Sequence, residues 1–256
     1  MLIDENLKEA LSRFDSISLS EMEDVKLMDR TDTKYIFFQD ELAGYLQEIA
    51  ANYRILEING KRVSKYETLY FDSPDFMLYH QHHQGKSSRY KVRHRIYADS
   101  GTHFLEIKFK TNKGRTIKNR IKKDSVTTDM SQPDQAFITR YSTLDPLNLV
   151  PKLWTNYSRI TLVNRYSKER LTLDLDLQFK NDLTEKRIPS IAIVEVKQEK
   201  YAPSPFLTLM KEKGIRQGSI SKYCYGVIYL NEQIKQNNFK KYLLTINKIN
   251  RHAPHA

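Results

Sequence analysis

The stretch Ser88-Arg-Tyr-Lys-Val-Arg-His-Arg-Ile-Tyr-Ala98 limits what this chain can fold into more than any other. It has no Gly or Pro and is rich in β-branched and aromatic residues, so it reads as a strand. Side chains alternate between the faces of a strand with period two. One face therefore carries Arg89, Lys91, Arg93 and Arg95, and the other carries Tyr90, Val92, His94 and Ile96. Four cations in one row repel one another. Such a row is tolerable as a solvated surface, or against an anion that neutralises it. An ordinary surface strand mixes Glu, Thr and Ser among its basic residues, and this one does not.

The same division recurs along the chain. Thr31 to Phe38 sets Asp32, Lys34, Ile36 and Phe38 against Thr31, Thr33, Tyr35 and Phe37. His103 to Thr111 sets Glu106, Lys108 and Lys110 against Leu105, Ile107 and Phe109. After a turn at Asn112-Lys-Gly114, Arg115 to Lys122 sets Thr116, Lys118, Arg120 and Lys122 against Ile117 and Ile121. Lys152 to Arg165 groups Tyr157, Arg159 and Thr161 on one face. Glu169 to Phe179 sets Leu171, Leu173, Leu175 and Leu177 against Arg170, Thr172, Asp174 and Asp176. Pro189 opens an apolar strand, Ser190–Gln198, that ends with Glu195 and Lys197 on one face. Asn59-Gly60 is a type I′ turn signal and predicts a hairpin of Arg54–Ile58 with Lys61–Phe71.

Helical periodicity predicts helices over Asp4–Phe14, Ser20–Leu27, Glu41–Tyr53 with Asp40 as its cap, Pro133–Leu144 with Ser131 as its cap, Pro203–Lys213 closed by Gly214, and Ser219–Leu230. Asn237–Ile249 is a last element of unassigned type. The expected class is thus α+β, with about eight antiparallel strands. Two assignments are open. In an ordinary barrel the apolar faces point inward. In the inverse arrangement the charged faces surround a polyanion and the apolar faces lie outside, under helices. The charged faces hold mainly cations with a few carboxylates. Arg and Lys suit phosphate oxygens, and carboxylates suit Mg²⁺ or Mn²⁺.

Composition agrees with a folded, anion-seeking protein. Of 256 residues 39% are hydrophobic, enough for a core, and 42 Lys+Arg against 31 Asp+Glu give a formal charge of +11. The lone Cys224 excludes an internal disulfide framework and fits a reducing, cytoplasmic setting. The start Met1-Leu-Ile-Asp-Glu has no basic n-region, and no run approaches the roughly 18 apolar residues of a membrane span. His80, His82 and His83 have no cysteine or fourth ligand at metal spacing, so zinc is not expected there. No nucleic-acid-binding module is recognisable, and no nucleic-acid partner is expected.

Eight segments, in order, resemble one family: Arg30-Thr-Asp-Thr-Lys-Tyr35, Leu69-Tyr-Phe-Asp-Ser73, Arg89-Tyr-Lys-Val-Arg-His-Arg95, Phe104-Leu-Glu-Ile-Lys108, Tyr157-Ser-Arg159, Arg170-Leu-Thr-Leu-Asp174, Ile193-Val-Glu-Val-Lys197 and Ser221-Lys-Tyr-Cys224. The family is the VTC domain, the polyphosphate polymerase domain of the vacuolar transporter chaperone complex. It belongs to the triphosphate tunnel metalloenzymes, the CYTH-like superfamily. The likeness covers roughly residues 28–230 of a single domain spanning 1–256, with N-terminal helices over 4–27 and a C-terminal extension over 231–256.

The resemblance implies an eight-stranded antiparallel β-barrel tunnel with a charged interior, flanked by helices. It implies transfer of the ATP γ-phosphate to a growing polyphosphate chain with Mn²⁺ or Mg²⁺. A triphosphatase of the same fold, or a non-catalytic module binding polyphosphate or inositol phosphate, stands as the alternative. The resemblance makes Lys34, Arg93, Arg95, Lys108, Lys118, Arg159, Arg170 and Lys222 phosphate contacts, with Arg93, Arg95, Lys108 and Arg159 at the reacting phosphate; the charged strand faces add Arg120 and Lys197, and the expected helix start adds Ser221. Glu195 is the first metal candidate and Glu106 the second. The cyclase/thiamine-triphosphatase branch of the superfamily opens on Glu-x-Glu-x-Lys. Here Arg30-Thr-Asp-Thr-Lys34 keeps only the lysine, which favours the polymerase branch. The resemblance also brings an expected membrane-protein partner, and with it a place at the inner face of a membrane.

Overall fold

The computed structural model describes residues 4–22 and 31–252. Arg30 and most of the helix expected over Ser20–Leu27 lie outside them. Eleven strands form one sheet: β1 (Asp15–Ile17), β2 (Thr31–Phe38), β3 (Tyr53–Leu56), β4 (Ser64–Asp72), β5 (Arg89–Tyr97), β6 (Thr102–Lys110), β7 (Thr116–Lys123), β8 (Val150–Asn164), β9 (Glu169–Lys180), β10 (Glu185–Ile188) and β11 (Ile191–Gln198). The helices are α1 (Glu5–Ser12), α2 (Leu42–Ile49), α3 (Met77–His83), α4 (Gln132–Tyr141), α5 (Pro205–Glu212), α6 (Lys222–Leu230) and α7 (Lys240–His252).

Eight strands make a continuous antiparallel path, β2-β11-β9-β8-β4-β5-β6-β7. β10 adds to β9, β3 adds to β8, and β1 lies parallel to β3. The expected closed barrel is corrected here: among the described residues β2 and β7 do not pair, and the sheet stays open. At Lys34 another segment occupies the edge that closure needs. The Gly218 N–H donates to the Lys34 carbonyl at 2.8 Å.

The packing follows the inverse assignment. Leu171, Leu173 and Leu175 of β9, Val194 and Val196 of β11, and Tyr35 and Phe37 of β2 pack outward against α1, α2 and α5. Val92, Leu105 and Ile107 of β5 and β6 pack outward against Phe137 and Ile138 of α4. Capping fixes the covering helices: the Asp4 side chain accepts from Leu7 N at 2.7 Å, and Ser131 with Asp134 forms a capping box.

The inward face is not charged throughout. Ile36, Ile191 and Ile193 lie on the same strand faces as Lys34 and Glu195, and they pack with α6 and α7. Helix α6, apolar nearly all round, fills this part of the interior. Its Gly226 makes the fit possible. A Cβ there would fall 2.8 Å from Leu153 Cδ1 and 2.9 Å from Phe179 Cδ1.

Several local expectations are corrected. Asp176 has φ 52°, and Tyr157 stands opposite a register shift between β8 and β9. This bulge reverses the alternation, so Leu177 joins Phe179 and Leu153 inside rather than Leu175 outside. The Asn59-Gly60 turn forms, with φ 51° and 72°, but beyond the Ile58–Lys61 bridge its flanks separate: β3 pairs with β8 and β1. Asp40 caps nothing. It sits in a 3₁₀ turn before α2, which ends at Ile49.

Candidate functional site

Register builds the charged interior. On β5 and β6 Arg93 stands opposite Glu106, Lys91 opposite Lys108 and Arg89 opposite Lys110. On β7 Arg120 faces Glu106 and Lys118 faces Lys108. Across the sheet Lys34 faces Glu195, Glu195 faces Thr172, Lys197 faces Arg170 and Arg159 faces Asp174. Period-two alternation on seven strands thus brings the expected residues onto one concave face, and α6 delivers Ser221 and Lys222 to it.

Three carboxylates each sit between two cations. Glu106 Oε2 accepts from Arg93 Nε at 2.8 Å and Nη2 at 2.6 Å, and its other oxygen pairs with Lys118. Asp174 accepts a two-pronged guanidinium from Arg159 at 2.6 and 2.8 Å and pairs with Lys222. Glu195 lies 3.2 Å from Lys34 Nζ and 2.5 Å from Lys197 Nζ, and Lys197 also donates to Thr172 Oγ1 at 2.9 Å. Burial pushes all three carboxyls up, but the cations outweigh it and hold them well below the usual range.

Three other interior cations have no carboxylate partner among the described residues. Arg95 donates to the Tyr157 hydroxyl at 2.9 Å, and Lys91 donates to Ser221 Oγ at 2.8 Å. Lys108 has no ion pair. Arg93 first, then burial and Arg95, push its ammonium well below the ordinary lysine range. The interior therefore holds more positive charge than its own acids neutralise.

Aromatic rings line one side. Tyr66 and Tyr157 stack at 5.3 Å, and the Arg159 guanidinium lies 4.8 Å from the Tyr66 ring and 5.3 Å from Tyr157. Arg95 lies 5.5 Å from Tyr66, and Lys222 lies 4.6 Å from Tyr157. At the exposed edge strand, Arg120 covers the Phe104 ring at 4.4 Å. Lys91 and these tyrosines are additions to the set expected from sequence. The row of alternate cations on 89–95 already pointed to Lys91, whereas nothing in the spacing separated wall tyrosines from core tyrosines.

Among the described residues no group of three or more His, Cys, Asp or Glu stands ready to hold a cation. Glu195 and Glu106 are not neighbours on the sheet, lying on β11 and β6, and each is already paired with two cations. A metal held here would take Glu195 as a single oxygen ligand from the chain. His80, His82 and His83 sit on α3 without forming a metal cluster. Cys224 is buried, and burial raises its thiol, which disfavours the thiolate form.

A largely antiparallel sheet, apolar outside and in part cationic inside, defines the chain as a mixed α+β protein built around a positively charged interior. It belongs to the VTC domain family, whose model matches residues 29–231. No curated protein matches it in sequence. Among solved structures it is similar to a candidate adenylyl cyclase from Hippeastrum described as having a dominant triphosphatase activity, with 14% identity, TM-score 0.47, and 81% of this chain and 98% of that one covered. It is also similar to a protein from Pyrococcus horikoshii, with 13% identity, TM-score 0.45, and 80% and 99% covered.

Proposed function

We propose that the chain is a polyphosphate polymerase that moves the γ-phosphate of ATP onto the end of a polyphosphate chain. The observation that carries this reading is the surplus of interior cations, with Arg95, Lys91 and Lys108 lacking carboxylate partners. A linear polyanion supplies the missing charge along the whole row, and family membership supports phosphate polymers as that anion. Arg93, Arg95, Lys108 and Arg159 hold the reacting phosphates and neutralise the charge spread over the γ-phosphoryl oxygens. Lys34, Lys118, Arg120, Arg170, Lys197, Ser221 and Lys222 hold the phosphates on either side.

A terminal oxygen of the acceptor chain forms the new bond to the γ-phosphorus. The bond from that phosphorus to the bridging oxygen breaks, and ADP leaves with its electron pair. Positioning and charge neutralisation suffice, and no covalent protein nucleophile is needed. A Mn²⁺ or Mg²⁺ ion bound to the triphosphate and touched by Glu195 would neutralise phosphate charge further. Lys34 and Lys197, which hold Glu195 now, turn to phosphate oxygens in the complex.

The test is incubation of the purified chain with ATP and Mn²⁺, following ADP release and chain growth on gels. ADP release with lengthening chains is expected. Free phosphate released without chains would make it a triphosphatase, and no ATP turnover would make it a binding module.

A further inference from the structure

The cation row of β5 does not stop at the reacting residues. From Arg95 to Arg89 it runs about 20 Å, at roughly 3.3 Å per residue. Arg89 and its β6 neighbour Lys110 form its outer end, next to α3, which packs on β5. No carboxylate pairs with Arg89, Lys91 or Lys110 among the described residues; Arg89 donates only to the Lys86 carbonyl, at 2.7 Å. Helix α3, packed on β5 beside this cluster, carries His82. Its Nδ1 is buried with no hydrogen-bond partner, and its ring packs 6.0 Å from Phe239.

We propose that His82, together with Arg89 and Lys110, is an outer phosphate contact for the polyphosphate chain, and that His82 takes up a proton from solvent when the chain occupies this place. The inference rests on the phosphate-polymer reading above and extends it beyond the reacting phosphates. The α3 end lies beside Arg89, which donates to the Lys86 carbonyl and stands opposite Lys110; the cations whose charge acts on His82 are Lys91 and Arg89 from β5, Lys110 from β6 and Lys34 from β2. Its own helix adds His80 and His83, and Asn238 is engaged with His83 rather than with His82. Burial and then those four cations keep the imidazole neutral and push it down to about 2. A neutral imidazole offers a phosphate only one N–H donor. Phosphates reverse the local field, so the ring gains its proton and both nitrogens become donors. A histidine that merely packs on Phe239 would show no such linkage.

The test is calorimetry with long-chain polyphosphate, whose internal phosphates do not titrate near neutrality, in two buffers of different ionisation enthalpy. Wild type is compared with His82→Gln between about pH 6 and pH 8. Wild type is expected to take up more protons than the variant. Its affinity rises as pH falls, by at most about tenfold per pH unit for one proton, and the variant loses that part of the slope. The His82 imidazole resonance should shift toward the protonated position on adding polyphosphate. As a variant at an exposed side chain, Lys110→Ala should weaken binding of the long chain more than of tripolyphosphate. Equal proton uptake in both proteins and an unmoved His82 resonance overturn the proposal. If wild type binds no polyphosphate, both this inference and the functional reading fall. Intact binding without ATP-dependent chain growth overturns the polymerase alone.

Discussion

Glu106 and Glu195 are the same residue type on the same concave face, each held by two cations, yet they are not equivalent. The Glu106 side chain is 0% exposed and clamped by a two-pronged arginine, whereas that of Glu195 is 21% exposed and held by two lysines. Arg93 and Glu106 fix each other's geometry in a dry site. Lys34, Glu195 and Lys197 form a set in which, on the proposed function, an ammonium turns to a phosphate and leaves behind a carboxylate that is still partly exposed. The difference teaches which acid builds the interior and which one is available to a ligand.

The largest effect is expected at Glu106. Glu106→Gln leaves Arg93 and Lys118 uncompensated beside Arg95 and Lys108, at a cost of about 3–5 kcal/mol in urea unfolding. Added tripolyphosphate should recover part of that loss in melting temperature. A loss below about 1 kcal/mol would make the two acids alike and break the comparison.

Glu195→Gln should do the opposite. Stability changes by about 1 kcal/mol or less, as for a partly exposed pair. ATP still binds, because the cationic walls remain. Turnover falls by about two orders of magnitude, through lost help to the phosphate-bound metal. Turnover measured across a Mn²⁺ titration decides it: near-normal rates with an unshifted midpoint would move the metal contact to another acid, with Glu106 next in line.

Arg95→Ala sharpens the contrast from the cation side. Arg95 donates to Tyr157 rather than to an acid, so its removal leaves no carboxylate stranded. Triphosphate affinity in calorimetry should drop about ten- to a hundredfold, from a charge-assisted contact of roughly 1.5–3 kcal/mol. Unchanged affinity would remove Arg95 from the phosphate path.

The smallest effect concerns pH. Burial first, and Arg159 second, push the Lys197 ammonium down to about 8, with Glu195 partly restoring it. Its folded value lies below the unfolded one, so this group costs stability below about pH 8, and the cost fades as pH rises toward the ordinary lysine value. Phosphate binding runs the other way, since it needs the charged form: affinity should weaken several-fold as pH rises through about 8. Tripolyphosphate titrations of wild type and Lys197→Met, with melting curves alongside, test both signs. Identical pH profiles would show that Lys197 is not titrating there.

Much of this interior was legible in the sequence, for a local reason. Alternation on 31–38, 89–95, 103–110 and 170–174 is a property of the strand itself, so it placed Lys34, Arg93, Arg95, Lys108 and Asp174 each on the charged face of its own strand before any pairing was known. What failed was non-local or depended on single residues. Asp176 in a left-handed conformation reverses the faces of β9, and nothing in Asp-Leu-Asp-Leu announces it. The Asn59-Gly60 turn is local chemistry and formed, but the partners of its flanks are chosen by the core. Closure of the barrel depends on whether Gly218 or β7 takes the edge of β2, a contest between distant segments. The Lys34–Glu195 pair also needed register, because only the β2–β11 pairing brings the two together, whereas Lys197 lies two residues along the same strand.

Gly226 ties two tasks to one helix. Its missing side chain lets α6 settle against Leu153 and Phe179, and Ser221 and Lys222 are set by that depth about 7 Å further along the axis. Packing and the placement of two proposed phosphate contacts here share a single mechanical part. A substitution scan reading only phosphate affinity would score Gly226 and Leu153 as contact residues although neither touches a charge. Any redesign of the apolar plug would retune the electrostatics of the interior without altering one ionisable group.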